Sequence, residues 1–176
     1  MNKQRGSNLS LFLMELIVAI LFFSLSAAVC VRLFTGAHLM AERTENLSSS
    51  VIWSQNLSES FTAMKGDLDK ISALYPDAYL TDDTLILFFD DNWETIDETL
   101  SDASYEAILK VKRDSAENVY SDVTDYNVPL KGDALLGHIA VIDIRSQKDV
   151  LMDIPDDASM VLLTSNVDIY LGKEDG

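Results

Sequence analysis

The chain has 176 residues, 48% of them hydrophobic, and carries 29 Asp and Glu against 13 Lys and Arg, a net charge of −16. So acidic a chain repels nucleic acid phosphates, which argues against DNA or RNA as a partner. One cysteine, Cys30, allows no internal disulfide.

The charge is unevenly placed. Residues 1–10 carry Lys3 and Arg5 and no acid, whereas residues 66–176 carry 25 acids against 8 bases, a net of −17. Four segments follow from this: a basic leader over 1–10, a membrane helix over 11–31, an amphipathic continuation over 32–65, and an acidic, strand-rich domain over 66–176.

Residues 11–31, LFLMELIVAILFFSLSAAVCV, carry a single charge, Glu15. An α-helix rising 1.5 Å per residue needs about 20 residues to cross about 30 Å of hydrocarbon. No comparable run recurs downstream. A cleaved signal peptide has a shorter apolar region, about 7–15 residues, ending at small residues. A lipoprotein anchor at Cys30 wants a large apolar residue three positions earlier, where Ala27 stands. Lys3 and Arg5 on one side nearly balance Arg32 and Arg43 on the other, so the positive-inside rule decides little. A ten-residue tail stays inside more easily than a domain does. The expectation is a single-pass protein of the cell membrane with a cytoplasmic N-terminus and an extracytoplasmic domain.

Glu15 is the informative residue of this stretch. A carboxylate near the bilayer centre costs about 2.5–3.5 kcal/mol on insertion scales, and less near the edge. The bland account is a side chain that snorkels or is protonated one turn inside the interface. The functional account is a carboxylate that awaits a cationic partner.

A basic leader, an apolar helix with one Glu on its first turn and an amphipathic continuation together resemble the type IV pilin and pseudopilin family, over about residues 1–65. In that family a peptidase removes the leader, and the Glu is the fifth residue of the mature chain. Counted back from Glu15, the resemblance implies a cut between Ser10 and Leu11. Leu11-Phe12-Leu13-Met14-Glu15 then aligns with the family's Phe-Thr-Leu-Ile-Glu. Ser10 stands where the family has Gly, and Leu11 where it usually has Phe, which points to an atypical or minor subunit. The resemblance further implies that Glu15 pairs with the free amino terminus of a neighbouring subunit and so fixes register in a filament. The partners it implies are other pilin-like subunits through the N-terminal helix, a prepilin peptidase, an inner-membrane assembly platform and membrane lipid. The machine would be a type IV pilus, a type II secretion system or a competence-type filament, with an extracellular filament as one destination.

After Arg32 the pattern is that of an amphipathic helix. Leu47, Val51, Leu57, Phe61, Met64, Leu68 and Ile71 recur at steps of three, four and six, and this stripe is expected to bury itself on the following domain. No proline interrupts residues 1–75, so one continuous helix is allowed. Gly36 and Ser48-Ser49-Ser50 are its weak places. Gly66 ends it. Residues 67–79 read as a short helix or loop ending near Pro76.

Residues 84–89, TLILFF, read as a buried strand, Asp90-Asp91-Asn92 as a turn, and 93–96 as the return strand of a hairpin. Residues 105–113 alternate, with Tyr105, Ala107, Leu109 and Val111 on one face. Residues 115–118 read as a turn, 119–126 as a weak strand, and 127–137 as a loop with Pro129 and Gly132. Residues 138–144 form a strand by β-branched content. Residues 146–148 turn into 150–154, Pro155-Asp156-Asp157 breaks the chain, and 160–163 with 167–171 close the sheet. One long helix followed by closely spaced strands is an α+β fold, with the helix packed on a C-terminal antiparallel sheet, the plan of the pilin family.

Nothing in the sequence has the spacing of a catalytic centre. His38, His138 and Cys30 give no CxxC, HxxxH or HExxH arrangement for zinc. The acidic groups at 82–83, 90–94 and 156–157 lack the Gly-bearing loop of an EF-hand and read as solvated turns. There is no G-x-S-x-G, phosphate loop or dinucleotide fingerprint. Trp53 and Trp93 lie beside apolar patterns and read as core. Asn8, Asn46 and Asn56 open N-x-S sequons that matter only in a eukaryotic secretory pathway. No catalytic residue, metal or cofactor is expected. The main reading is a non-catalytic pilin-like subunit. The alternative is a single-pass anchored extracytoplasmic binding or scaffold domain that does not polymerise, for which a charge at Glu15 has no use.

Overall fold

The structure, a computed structural model, describes residues 4–97, 102–121, 130–146, 151–155 and 158–172, with side chains from residue 9 onward. It divides into two compact units, Met1–Glu45 and Asn46–Gly176.

One helix, α1, runs from Gln4 to Ala63. It contains a stretch long and apolar enough to cross a membrane, with none of that stretch buried, and so fits a single-pass anchor. Its end is fixed by backbone chemistry. The Gly66 N–H donates to Phe61 O at 2.8 Å and the Lys65 N–H to Thr62 O at 3.3 Å. Lys65 and Gly66 both take positive φ, 54° and 73°. These paired bonds close off the last carbonyls of the helix in a Schellman-type cap.

In the second unit, α2 (Leu68–Ser72) is capped by Asp67, whose side chain accepts the Lys70 N–H. The strands are β1 (Tyr79–Leu80), β2 (Thr84–Phe89), β3 (Thr95–Ile96), β4 (Tyr105–Ser115), β5 (Asp133–Asp143) and β6 (Val161–Gly172), with α3 (Ala116–Val119) between β4 and β5. Every described pairing is antiparallel, in the order β1-β2-β4-β5-β6, with β3 also on β2. The fold is the expected α+β arrangement of a helix on an antiparallel sheet.

The sheet is buried on both faces. On one, Leu85, Leu87, Phe89, Tyr105, Ala107, Leu109, Ile139 and Val141 meet Leu57 and Phe61 of α1 and Ile71 of α2. On the other, Ile86, Phe88, Ile108, Ala140 and Ile142 pack with Ile144 and Met160. All six residues of β2 are therefore buried, which explains its unbroken apolar run.

Several expectations need correction. Leu47 and Val51 do not join the helix–sheet contact: they are 50% and 38% exposed. Asn46, Ser50 and Ser54 are buried in their place. Residues 133–137 are strand, not loop, because β5 pairs with β4 through to Ser115↔Asp133. Gly137 suits this path, since a Cβ there would meet Val167 at 2.8 Å and the Phe61 ring at 3.1 Å. The segments 160–163 and 167–171 are one strand, β6, carried across Thr164, Ser165 and Asn166 by continuous pairing with β5. Residues 115–118 form the capped turn of α3, with Ser115 Oγ accepting the Asn118 N–H. Val119 ends that helix, and residues 122–126 of the expected strand lie outside the described residues, as do 127–129, 147–150 and 156–157. Residues 151–154 are not strand.

Candidate functional site

Ser10, Leu11 and Glu15 all lie within α1 and are exposed. Large apolar side chains surround Glu15, among them Phe12, Met14 and Leu16, each exposed. No described residue offers Glu15 a hydrogen bond or an ion pair. Cys30 and His38 are exposed on the same helix.

At the start of the second unit, over residues 46–54, the helix turns polar residues inward and leaves several apolar ones outward. Toward the sheet it turns Asn46, Ser50 and Ser54, four residues apart and so on one face. Leu47 and Val51 face elsewhere, with Ile52 at 53% exposure. The polar residues form a clasp. Asn46 Oδ1 accepts from Tyr105 Oη at 3.0 Å and from Trp93 Nε1 at 3.3 Å. An indole N–H can only donate, so the amide oxygen must face both groups. Ser50 Oγ donates to Asn46 O at 2.7 Å, and Ser54 Oγ meets Ser165 Oγ at 2.6 Å.

Aromatic packing holds the clasp in place. Trp93 stacks on Tyr105 at 4.2 Å and tilts against Phe89, which also meets Trp53 at 4.6 Å. Both tryptophans, expected in the core, are half-buried and pack against it. Trp93 sits at φ 64°, uncommon for so bulky a side chain. The preceding Asp90 sustains the turn: its Oδ1 accepts the Asn92 N–H at 2.8 Å and the Glu94 N–H at 2.9 Å. The Glu94 bond is the main reason the Asp90 carboxyl lies below its ordinary range. The Arg145 guanidinium lies 5.1 Å from the Tyr105 ring centre and forks onto Asp143. Burial pushes the Tyr105 phenol up.

An open cleft of about 580 Å³ is lined by Leu68, Asp69, Leu80, Asp82, Asp83 and Arg113, among others. Among the described residues, no three His, Cys, Asp or Glu converge as a metal-binding group. His138 Nδ1 is bonded to Asn166 Oδ1. Asn46 is only 7% exposed, so its sequon is closed to glycosylation in the folded chain.

The buried roles of two residues, Asn46 and Glu106, are not evident from apolar patterning. Asn46 could have been found from the four-residue spacing of Asn46, Ser50 and Ser54. Glu106 lies between apolar neighbours on β4 and is 0% exposed. Its carboxylate accepts the Leu151 N–H at 3.1 Å, and burial raises it to about 7.

No protein-family model, curated protein or solved structure matches this chain.

Proposed function

We propose that the protein is a non-catalytic, pilin-like or pseudopilin-like subunit, held in the cell membrane by α1 and assembled through that helix with other such subunits. The N-terminus lies in the cytoplasm and the acidic domain outside, and the machine is a type IV pilus, type II secretion or competence-type filament. The observation that carries this reading is the exposure of Leu47, Val51 and Ile52 beyond the expected membrane segment. A solitary tether has no use for apolar residues on the water side of its stalk, whereas helices that bundle bury them against their neighbours.

Glu15 supports the same reading. A carboxylate in lipid and an ammonium in lipid are each costly alone, and pairing offsets both. With the leader removed between Ser10 and Leu11 by a prepilin peptidase, the new amino terminus of one subunit supplies that cation to the Glu15 of the next. Wrong registers leave both charges unpaired. An assembly platform in the inner membrane completes the set of partners.

The test is incorporation of Glu15→Gln into filaments beside the unaltered chain at equal expression. The expected result is a loss of tenfold or more. Equal incorporation would falsify the role given to Glu15. Failure of even the unaltered chain to enter filaments would favour the second reading, an anchored binding or scaffold domain that stays monomeric.

A further inference from the structure

The outer face of the sheet, opposite α1, carries a buried acid with no cation beside it among the described residues. Glu106 points from β4 into the cluster of Ile86, Phe88, Ile108, Ala140, Ile142, Ile144 and Met160. Its strand partners there are Phe88 on β2 and Ile142 on β5, both uncharged. Residues 151–155 lie over this face, with Leu151 and Ile154 packed against the cluster. The Leu151 N–H joins this segment to the acid, donating to both Glu106 carboxyl oxygens, at 3.1 and 3.4 Å. Of the other titratable groups on this face, Lys110 on β4 and Asp153 in the segment satisfy each other at 2.7 Å at the exposed rim, and His138 on β5, opposite Lys110, is hydrogen-bonded to Asn166.

We propose that residues 151–155 form a pH-sensitive strap, closed over the outer face of the sheet while Glu106 is protonated and released when Glu106 ionises. Protonated, the carboxyl is a neutral group in an apolar layer that can still accept the Leu151 N–H. Ionised, it has one backbone donor among the described residues, in a layer that excludes water, and a buried carboxylate needs more than that. Freeing the strap gives it water without dismantling the sheet, because no β4–β2 or β4–β5 ladder bond runs through residues 151–155. Release bares Ile86, Phe88, Ile108 and Ile142. The raised Glu106 value, about 7, puts the change in the neutral range.

Hydrogen exchange of the full chain in detergent micelles, corrected to protection factors, reads this directly. Against an ordinary carboxyl in the open state, protection of the Leu151 amide is expected to fall about tenfold between pH 6 and pH 8. The Ile139 and Val141 amides of β5 are expected to keep theirs. Glu106→Gln is expected to hold Leu151 protection constant within about twofold over the same range. Glu106→Met serves if that variant does not fold. Three results overturn the proposal: no pH dependence at Leu151, the same dependence in the variant, or β5 amides losing protection in step with Leu151.

Discussion

Asn46 of the long helix and Tyr105 of the central strand are joined by a 3.0 Å hydrogen bond across 59 residues of sequence. The same amide oxygen takes the indole proton of Trp93. A single side chain on α1 thus satisfies two donors of the sheet layer, at the residue where the second unit begins.

Removing that oxygen strands both donors. Leaving a buried polar group unpaired costs about 1–3 kcal/mol, so Asn46→Ala is expected to destabilise the domain by about 2–4 kcal/mol. Tyr105→Phe on its own is expected to cost less, because it removes a donor and leaves the oxygen still bonded to Trp93. Denaturant unfolding of the two single variants and the double variant measures this. The double variant should lose less than the sum of the singles; strict additivity would mean the bond is not energetically made.

The Phe61 ring occupies the space a side chain at Gly137 would need. Gly137→Ala is expected to cost about 1–3 kcal/mol by overpacking. Gly66→Ala adds the strain of a positive φ to a 2.7 Å approach to Leu135 and is expected to cost at least about 1 kcal/mol. Gly36→Ala has open space around it and lies mid-helix, so it should be neutral or slightly stabilising. Midpoints of thermal unfolding rank the three.

Glu106 ties stability to pH. Its folded-state value, about 7, lies above the ordinary 4.5, so the folded chain binds this proton more tightly than the unfolded chain. The contribution is complete below pH 4.5 and is lost as pH rises through 7, by about 3 kcal/mol at most. Strap release relieves part of that loss. The unaltered chain is therefore expected to unfold at a lower temperature at pH 8 than at pH 5.5. The gap should narrow in Glu106→Gln, since the self-repulsion of an acidic chain is common to both. An unchanged gap would place the carboxyl in water.

Leu47 and Val51 test the outward face of the helix. Leu47→Glu with Val51→Glu is expected to leave domain unfolding within about 0.5 kcal/mol per site, as exposed substitutions do. Self-association in membranes, read by cysteine crosslinking along the helix, is expected to fall severalfold. A large loss of domain stability would mean these residues are core after all.

Much of the fold was legible because periodicity and burial agreed. The unbroken TLILFF of β2 and the alternation of Tyr105, Ala107, Leu109 and Val111 report faces that the sheet covers. Gly66 marked the helix end because a positive φ is needed there. Legibility failed where polar residues were the buried ones. Asn46, Ser50 and Ser54 carry no hydrophobic signal, and their burial depends on partners far along the chain, at Tyr105 and Ser165. The strand status of residues 133–137 was hidden for a related reason: pairing with β4 overrides the weak propensity of Asp133 and Gly137. At Glu15 the signal is a lone acid in an apolar run, and the cut between Ser10 and Leu11 is what the resemblance to the pilin family implies; a helix alone neither adds to nor subtracts from either.

The mass of the mature chain, measured with and without the prepilin peptidase, tests the central claim most directly. A chain beginning at Leu11 that depends on the peptidase is the predicted result. A chain that keeps residues 1–10 whether or not the peptidase is present contradicts it.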